Sequence, residues 1–536
     1  MIKNDVNMNR VKNRANLLKF IFIFIGVSSS VLGMNIYEIH RFRFLCSSEW
    51  LSFLCTLLII IAVTWCLYYF SQQIDLDSIN VKRFINIDSK GLFILCFLIC
   101  LVLLIGYYPG TQSWDTYKQI ADYYDGISTT KYKEGGGMMI TAFLNDHHPI
   151  TTTFIFSFFV CIGKWIKNEK LGVFFYSVIQ IVLYSYAYVR VKKRLAEYKG
   201  NAATDCTLFY IFNFFLPYYA ILMVKDSIYS VLFLIYYLDY VIIFDSQTNN
   251  KREKKWFILL SILLPLMRKT GIYIVLISNI FLFLNKRKSD MSTKLTICSG
   301  VIIPTIIMFF ILPRIIFPIA GIYSGGNQEV IGTLLQQSAR VGIDHGDAYS
   351  DDEICLLNRI FDYDNIEENY KYEKTDPIKN TYKLESVTYE DLCDYYKLWI
   401  KTGLRYPESY LKATAGTCAG YFAPVVKLDI YRNNHSYLLS NNPILVFIRE
   451  MTDGIYEILL KIPGLSVFMY IAVYTWWIPL LGTYKILKRK GFRAMGVMAP
   501  VYVTILTLIV SPFSFSRYAL PLVIVAPIVV HICEFI

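Results

Sequence analysis

Along the chain, apolar runs of about 20 residues alternate with short polar connections, and that run length matches a hydrocarbon core of about 30 Å. The pattern predicts membrane-spanning helices near 17–37, 49–70, 90–108, 171–190, 204–223, 226–245, 295–318, 465–487, 494–511 and 517–536. A further run, 256–285, is interrupted by Met267-Arg268-Lys269-Thr270-Gly271. Two charges at mid-bilayer are too costly to face lipid, so this run predicts two short spans meeting near the outer surface. The expected class is an all-α polytopic membrane protein of about twelve spans.

Two stretches depart from the pattern. The first, Tyr107–Pro149, leaves the apolar region at Pro109-Gly110 and returns through Asp146-His147-His148-Pro149. It also carries Asp115, Asp122, Asp125 and Glu134. The second, 319–464, is too long for a simple loop and too polar to span. Its periodicity predicts helices over Ile331–Arg340 and Glu390–Gly403 in a small outer subdomain. The chain thus divides into 1–108, a cytoplasmic tail and three spans; 109–170, a first outer loop with a juxtamembrane helix; 171–318, a central bundle; 319–464, the outer subdomain; and 465–536, the last spans.

Charge decides which side each loop takes. Basic residues cluster between apolar runs, as RVKKR at 190–194, KREKK at 251–255, KRK at 286–288 and KILKRKGFR at 485–493. If 149–165 crosses, all four land outside. If it stays on the outer face, all four land inside, as the positive-inside bias requires. The N-terminal Lys3, Arg10, Lys12 and Arg14 then lie in the cytoplasm, with Arg41 and Arg43 a small exception outside. The first apolar run ends in Gly33-Met34-Asn35 without a small-residue cleavage pattern, which predicts a retained first helix.

Composition agrees. The chain is 55% hydrophobic and only 18% charged, against about a quarter charged in soluble domains. The net charge of +12 comes from the short basic loops, while 319–464 carries 21 acidic against 14 basic residues, so nucleic acid is not an expected partner. The twelve cysteines form no CxxC pair, which argues against thiol redox chemistry and a zinc knuckle. Cys355, Cys393 and Cys418 share the outer segment, and three cannot all pair with one another. There is no P-loop, no Rossmann glycine pattern and no Ser-His-Asp order.

With 149–165 outside, the unusual polar residues share one face. Asp115, Asp146, His147 and His148 lie in the first outer loop, Lys225-Asp226 in a tight turn, Arg268-Lys269 at the span break, and Arg517-Tyr518 in the last outer turn. Each has a bland reading: a capping acid, wet imidazoles, a simple ion pair, cations snorkelling to the interface. Four turns placing charge on one face instead predict a polar cavity for an anionic substrate.

This order of features resembles the GT-C superfamily of membrane glycosyltransferases, which includes protein O-mannosyltransferases and lipid A aminoarabinose transferases. The outer-loop acid there matches Asp115, and the carboxylate-His-Pro element matches Asp146-His147-His148-Pro149. The turn acid matches Asp226 and the span-break cation Lys269. His148 departs from the acidic-x-His-Pro-Pro form of the mannosyltransferases. The sequence is still more similar to an uncharacterised bacterial family of large membrane proteins near that superfamily. The matching pieces are YPGTQSWDTYKQI, NDHHP, VKDSIY, RKTG, LLQQSAR, KTGLRYPESYLKA with GYFAP, and FSRYALP, covering most of the chain beyond residue 90.

The resemblance implies a GT-C-like helical bundle moving a sugar from a polyprenyl-phosphate donor to a cell-envelope acceptor, at the outer face of the cell membrane. Asp115, Asp146 and Asp226 would be the catalytic carboxylates. His147, His148, Lys225, Arg268, Lys269, Arg517 and Tyr518 would bind substrate. No cofactor is assigned, and a divalent metal ion at Asp115 or Asp146 is left open. Partners would be the lipid-linked donor and membrane lipids, with oligomeric state open. The alternatives are a flippase or exporter of a lipid-linked or anionic solute, and an O-antigen-type polymerase or ligase.

Overall fold

The computed structural model describes residues 2–39, 50–73, 87–128, 141–142, 144–197, 202–245, 251–286, 289–323, 328–383 and 386–536. Arg41, Arg43 and Glu134 lie outside the described residues. Among the described residues the chain is mostly helical, and the six strands there are two residues each. Among the described residues, seven helices are long and apolar enough to cross a membrane: Arg14–Tyr37, Leu54–Gln72, Ser89–Gly106, Glu169–Ala196, Lys225–Asp245, Met291–Ala320 and Phe492–Ile509. Leu58, Trp65, Tyr69 and Phe70 face outward from the second of these, an inside-out pattern that a bilayer explains.

The Lys225–Asp245 helix is the axis of the molecule. Seventeen of its residues are buried, including Tyr229, Phe233, Tyr236, Tyr237 and Tyr240. A helix apolar on every side belongs in the middle of a bundle. Around it pack Glu169–Ala196, Lys251–Met267 and Ser516–Ile524.

Several predicted spans are helical but broken. The 204–223 run divides into Ala202–Phe212 and Phe215–Ala220. Asn213 Oδ1 accepts from the Leu216 amide at that break. The 256–285 run breaks into Lys251–Met267 and Gly271–Asn285. A Cβ on Gly271 would stand 2.9 Å from the Leu264 carbonyl oxygen, so only glycine lets the second helix start there. Met291–Ile306 continues through a wide-turned stretch, Ile307–Ile316, flanked or interrupted by Pro304 and Pro313. The final run steps through Ser516–Ile524, Ala526–Val530 and Ile532–Phe535. Pro521 and Pro527 each remove a backbone donor there.

The Ile150–Trp165 helix forms a hairpin with only the first part of Glu169–Ala196. Phe156 meets Tyr176 with ring centroids 5.4 Å apart. A Cβ on Gly172 would sit 2.1 Å from the Phe159 carbonyl oxygen, so glycine permits the close approach. The longer helix then continues to Arg190, which pairs with Asp239 at the far end of the central helix. Lys193-Arg194, Lys251-Arg252, Lys286 and Lys488-Arg489 all gather at that far end, on helix termini directed away from Arg268 and Arg517.

A second core lies in the polar segment, built from Ile331, Leu335, Leu357, Ile360, Tyr395 and Leu398. Its helices include Gln328–Asp344, Asp351–Ile360, Tyr389–Arg405 and Pro407–Cys418. Two begin in capping boxes, Ser350 with Glu353 and Thr388 with Asp391. Cys355, Cys393 and Cys418 are all free thiols. Beyond this core the chain returns to the bundle, and Pro443–Lys461 packs on Ser89–Gly106. That helix exposes Ile444, Phe447, Met451, Ile455 and Ile458, an apolar stripe within a segment whose composition reads as polar.

Candidate functional site

Two short backbone pairings build the site's floor. Thr111-Gln112 runs parallel to Leu222-Met223. On its other side, the Gln112 amide donates to the Asn433 carbonyl and Asn434 Nδ2 donates to the Gly110 carbonyl. Three segments distant in sequence are thereby brought side by side. Gln180, buried on Glu169–Ala196, places its amide nitrogen within 2.9–3.2 Å of the carbonyls of Tyr219, Ala220 and Leu222. It holds the non-helical approach to the central helix.

Asp115 follows directly. Ser113 caps the Trp114–Asp125 helix through the Thr116 amide, and Thr116 Oγ1 donates to the Met223 carbonyl at 2.6 Å. Asp115 therefore sits in the first turn, where the exposed N–H groups favour a carboxylate. Asp226 sits likewise in the first turn of the central helix, with its side chain fully buried.

The cations come from the span break and the last turn. Arg268 Nη1 stands 3.5 Å from Asp226 Oδ1. Arg517 reaches both acids, with Nε 3.2 Å from Asp226 Oδ2 and Nη2 3.0 Å from Asp115 Oδ2. The Tyr518 ring lies between the guanidiniums, 5.3 Å from Arg268 and 5.4 Å from Arg517, and Tyr229 backs Arg268 at 5.7 Å. The result is a chain of alternating charge, Arg268–Asp226–Arg517–Asp115.

Beside it, Lys269 Nζ pairs with Asp146 Oδ2 at 3.0 Å. Leu144-Asn145 pairs with Ile322-Tyr323, and the Asp146 amide donates to the Tyr323 carbonyl, which fixes this rim. Lys225 Nζ lies 3.0 Å from His148 Nδ1. An ammonium only donates, so Nδ1 accepts and the ring proton is on Nε2. Burial, then Lys225, His147, Arg517 and Lys269, hold His148 well below the ordinary histidine range. His147 is exposed and packs its ring 4.5 Å from that of His148. Burial works to raise the Asp115 carboxyl, but Arg517, Lys225 and His147 together bring it below its usual value.

All ten residues singled out from the sequence thus lie in one neighbourhood, in two linked groups. Other residues shape it without any signal in the sequence pattern. The Tyr421 hydroxyl donates to the Phe513 carbonyl and accepts from the Phe515 amide. Ser516 Oγ accepts from the Asp429 amide at 2.7 Å. Together they set the turn that carries Arg517. Tyr421 is inside GYFAP, but nothing in that string says what it holds.

Among the described residues, no three His, Cys, Asp or Glu side chains stand together so as to hold a metal ion. Asp115 and Asp146 each face a cation instead, so the arrangement does not fit a divalent ion.

The fold and this centre define an all-helical membrane protein with a buried charged cluster at one end of its bundle. The chain belongs to a family of unknown function (DUF6020), which matches residues 30–533. No curated protein and no solved structure matches it.

Proposed function

We propose that the chain is a GT-C-type membrane glycosyltransferase with a bundle of about twelve spans. It would use a donor whose sugar is linked to a polyprenyl chain through a single phosphate. The observation that carries this reading is the shared Arg517. It is half-buried, charged, and divided between an enclosed carboxylate, Asp226, and a partly accessible one, Asp115. Lys225, Arg268, Lys269 and Arg517 face Asp115, Asp146 and Asp226, so these seven side chains carry one positive charge. A phosphodiester carries one negative charge, so the donor's phosphate would neutralise the site.

Asp115 would take the proton from an acceptor hydroxyl as that oxygen attacks the anomeric carbon. The bond from that carbon to the phosphate oxygen breaks, and its electron pair leaves with the phosphate. Arg517, Arg268 and Lys269 would meet the charge that develops there. Lys193-Arg194, Lys251-Arg252, Lys286 and Lys488-Arg489 lie at the opposite end of the bundle, and the positive-inside bias would then put the cluster on the outer face of the cell membrane.

Purified protein in detergent, given labelled polyprenyl-phosphate sugar, should release polyprenyl phosphate without any gradient. The combined variant Arg268→Ala, Lys269→Ala, Arg517→Ala should not. Undiminished release by that variant removes the phosphate assignment. Gradient-dependent movement in liposomes without release would mark a carrier instead.

A further inference from the structure

Outside the charged chain, one cluster at the rim surrounds an exposed tryptophan with an imidazole and a phenol. Trp114 is 52% exposed although it directly precedes Asp115. Its ring is held rather than loose. Tyr117 lies against it at 5.1 Å with planes 32° apart, and Lys118 Nζ is 5.7 Å from its centroid. His435 meets it edge-on at 5.6 Å. His435 Nε2 is in turn 2.6 Å from the Tyr431 hydroxyl, and Tyr431 lies within electrostatic reach of Arg517 and Asp115.

We propose that Trp114, with His435 and Tyr431 at its edge, is a stacking platform for a pyranose ring. That ring would belong to the acceptor, making the acceptor a glycan; this last step rests on the transferase reading. The chemistry is specific to such a ligand. A pyranose presents a face of C–H bonds that packs on an aromatic ring and a rim of hydroxyls that needs polar partners. The platform supplies both. An indole placed only to sit among lipid headgroups needs no imidazole and phenol beside it.

Position agrees with the chemistry. Of the three carboxylates in the site, Asp115 is the most exposed, at 25% against 15% for Asp146 and none for Asp226. The platform borders the one acid that solvent reaches best. A ring stacked on Trp114 beside Tyr431 would lie near Asp115, which Tyr431 also neighbours.

The test uses the full chain in detergent with methyl pyranosides of glucose, galactose, mannose and N-acetylglucosamine, read by saturation-transfer NMR. At least one should show transfer to its ring C–H protons. Trp114→Ala should weaken that sugar about tenfold, the factor that separates 1.4 kcal/mol. Trp114→Phe should recover part of the loss, and Trp165→Ala, another exposed tryptophan, should change nothing. No signal from any pyranoside, or a signal that Trp114→Ala leaves intact, overturns the platform. So does quenching of Trp114 fluorescence by nitroxide-labelled lipid with no response to sugar. Donor release separates this idea from the reading beneath it. Sugar binding without release removes the transferase and leaves the platform. Release without Trp114-dependent binding removes the platform and leaves the transferase.

Discussion

Asp226 and Asp239 lie on the same helix, and neither side chain is exposed, yet the protein treats them differently. Asp239 pairs with Arg190 alone among the described residues. Asp226 faces two guanidiniums, and one of them is shared with a second acid. A closed pair is what burial of a charge requires, since an unpaired ion in the interior costs several kcal/mol. A shared arginine goes beyond that requirement. It can turn from one acid toward an incoming anion while the other acid still holds it. On the proposed reading, Asp239 would belong to architecture and the Asp226 cluster to chemistry.

The comparison can be broken in several places. The largest expected effect is on turnover: Asp115→Asn should lower the rate of polyprenyl phosphate release by about 10² to 10⁴ with little loss of folded protein. Asp239→Asn should leave release unchanged in whatever protein folds. Equal rates for wild type and Asp115→Asn would end the role given to that carboxylate.

Stability comes next. Asp226→Asn strands two buried cations and should cost about 3–5 kcal/mol, the range for breaking a buried pair. Asp239→Asn strands only one, so its thermal midpoint should fall less. Midpoints that fall together, or in the reverse order, would show that the cluster is no more strained by charge than the simple pair.

Arg517→Lys keeps the charge but loses the planar fork that reaches two acids. Release should drop about 10² to 10³, as for loss of one donor to a developing anion. Arg190→Lys, tested beside it, should be active. A fully active Arg517→Lys would mean that sharing is irrelevant and a point charge suffices.

The smallest effect is a slope. The folded state keeps His148 deprotonated below the pH at which an unfolded histidine, near 6.5, takes its proton. Between its lowered folded value and about 6.5 the unfolded chain binds more protons, so stability rises with pH there and levels off above. One proton allows at most about 1.4 kcal/mol per pH unit. His148→Asn should flatten the thermal midpoint between pH 5 and 6.5. An unchanged slope would place the proton elsewhere.

Much of this contrast was legible in the sequence, and the rest was not for definable reasons. The break at Arg268-Lys269 showed because two charges and a glycine interrupt an apolar run. Asp115, Lys225-Asp226 and Arg517 showed as polar residues at the ends of apolar runs, which is a local signal. Which acid meets which arginine did not show, because Asp115 and Arg517 are joined only through the folded bundle. Helix breaks at Asn213 and Pro527 were missed because hydropathy averages over single residues. The Pro443–Lys461 helix was folded into a polar segment because its stripe of apolar residues is one side of an otherwise charged stretch. Gln180, Tyr421 and Ser516 act on backbone groups far along the chain, and a sequence carries no trace of such contacts.

The backbone pairing under the site has a consequence for how this family can change. Asn433-Asn434, Thr111-Gln112 and Leu222-Met223 are joined largely by main-chain groups, which are the same whatever the side chain. The floor should therefore tolerate replacements within Thr111-Gln112 and Leu222-Met223 provided their volume is kept. It should not tolerate a change of length. One residue inserted between Gln112 and Trp114 would leave the strand in place but turn Asp115 by about 100° around its helix, out of reach of Arg517. Related chains should vary freely in loop length elsewhere and hold the count constant in these three short stretches.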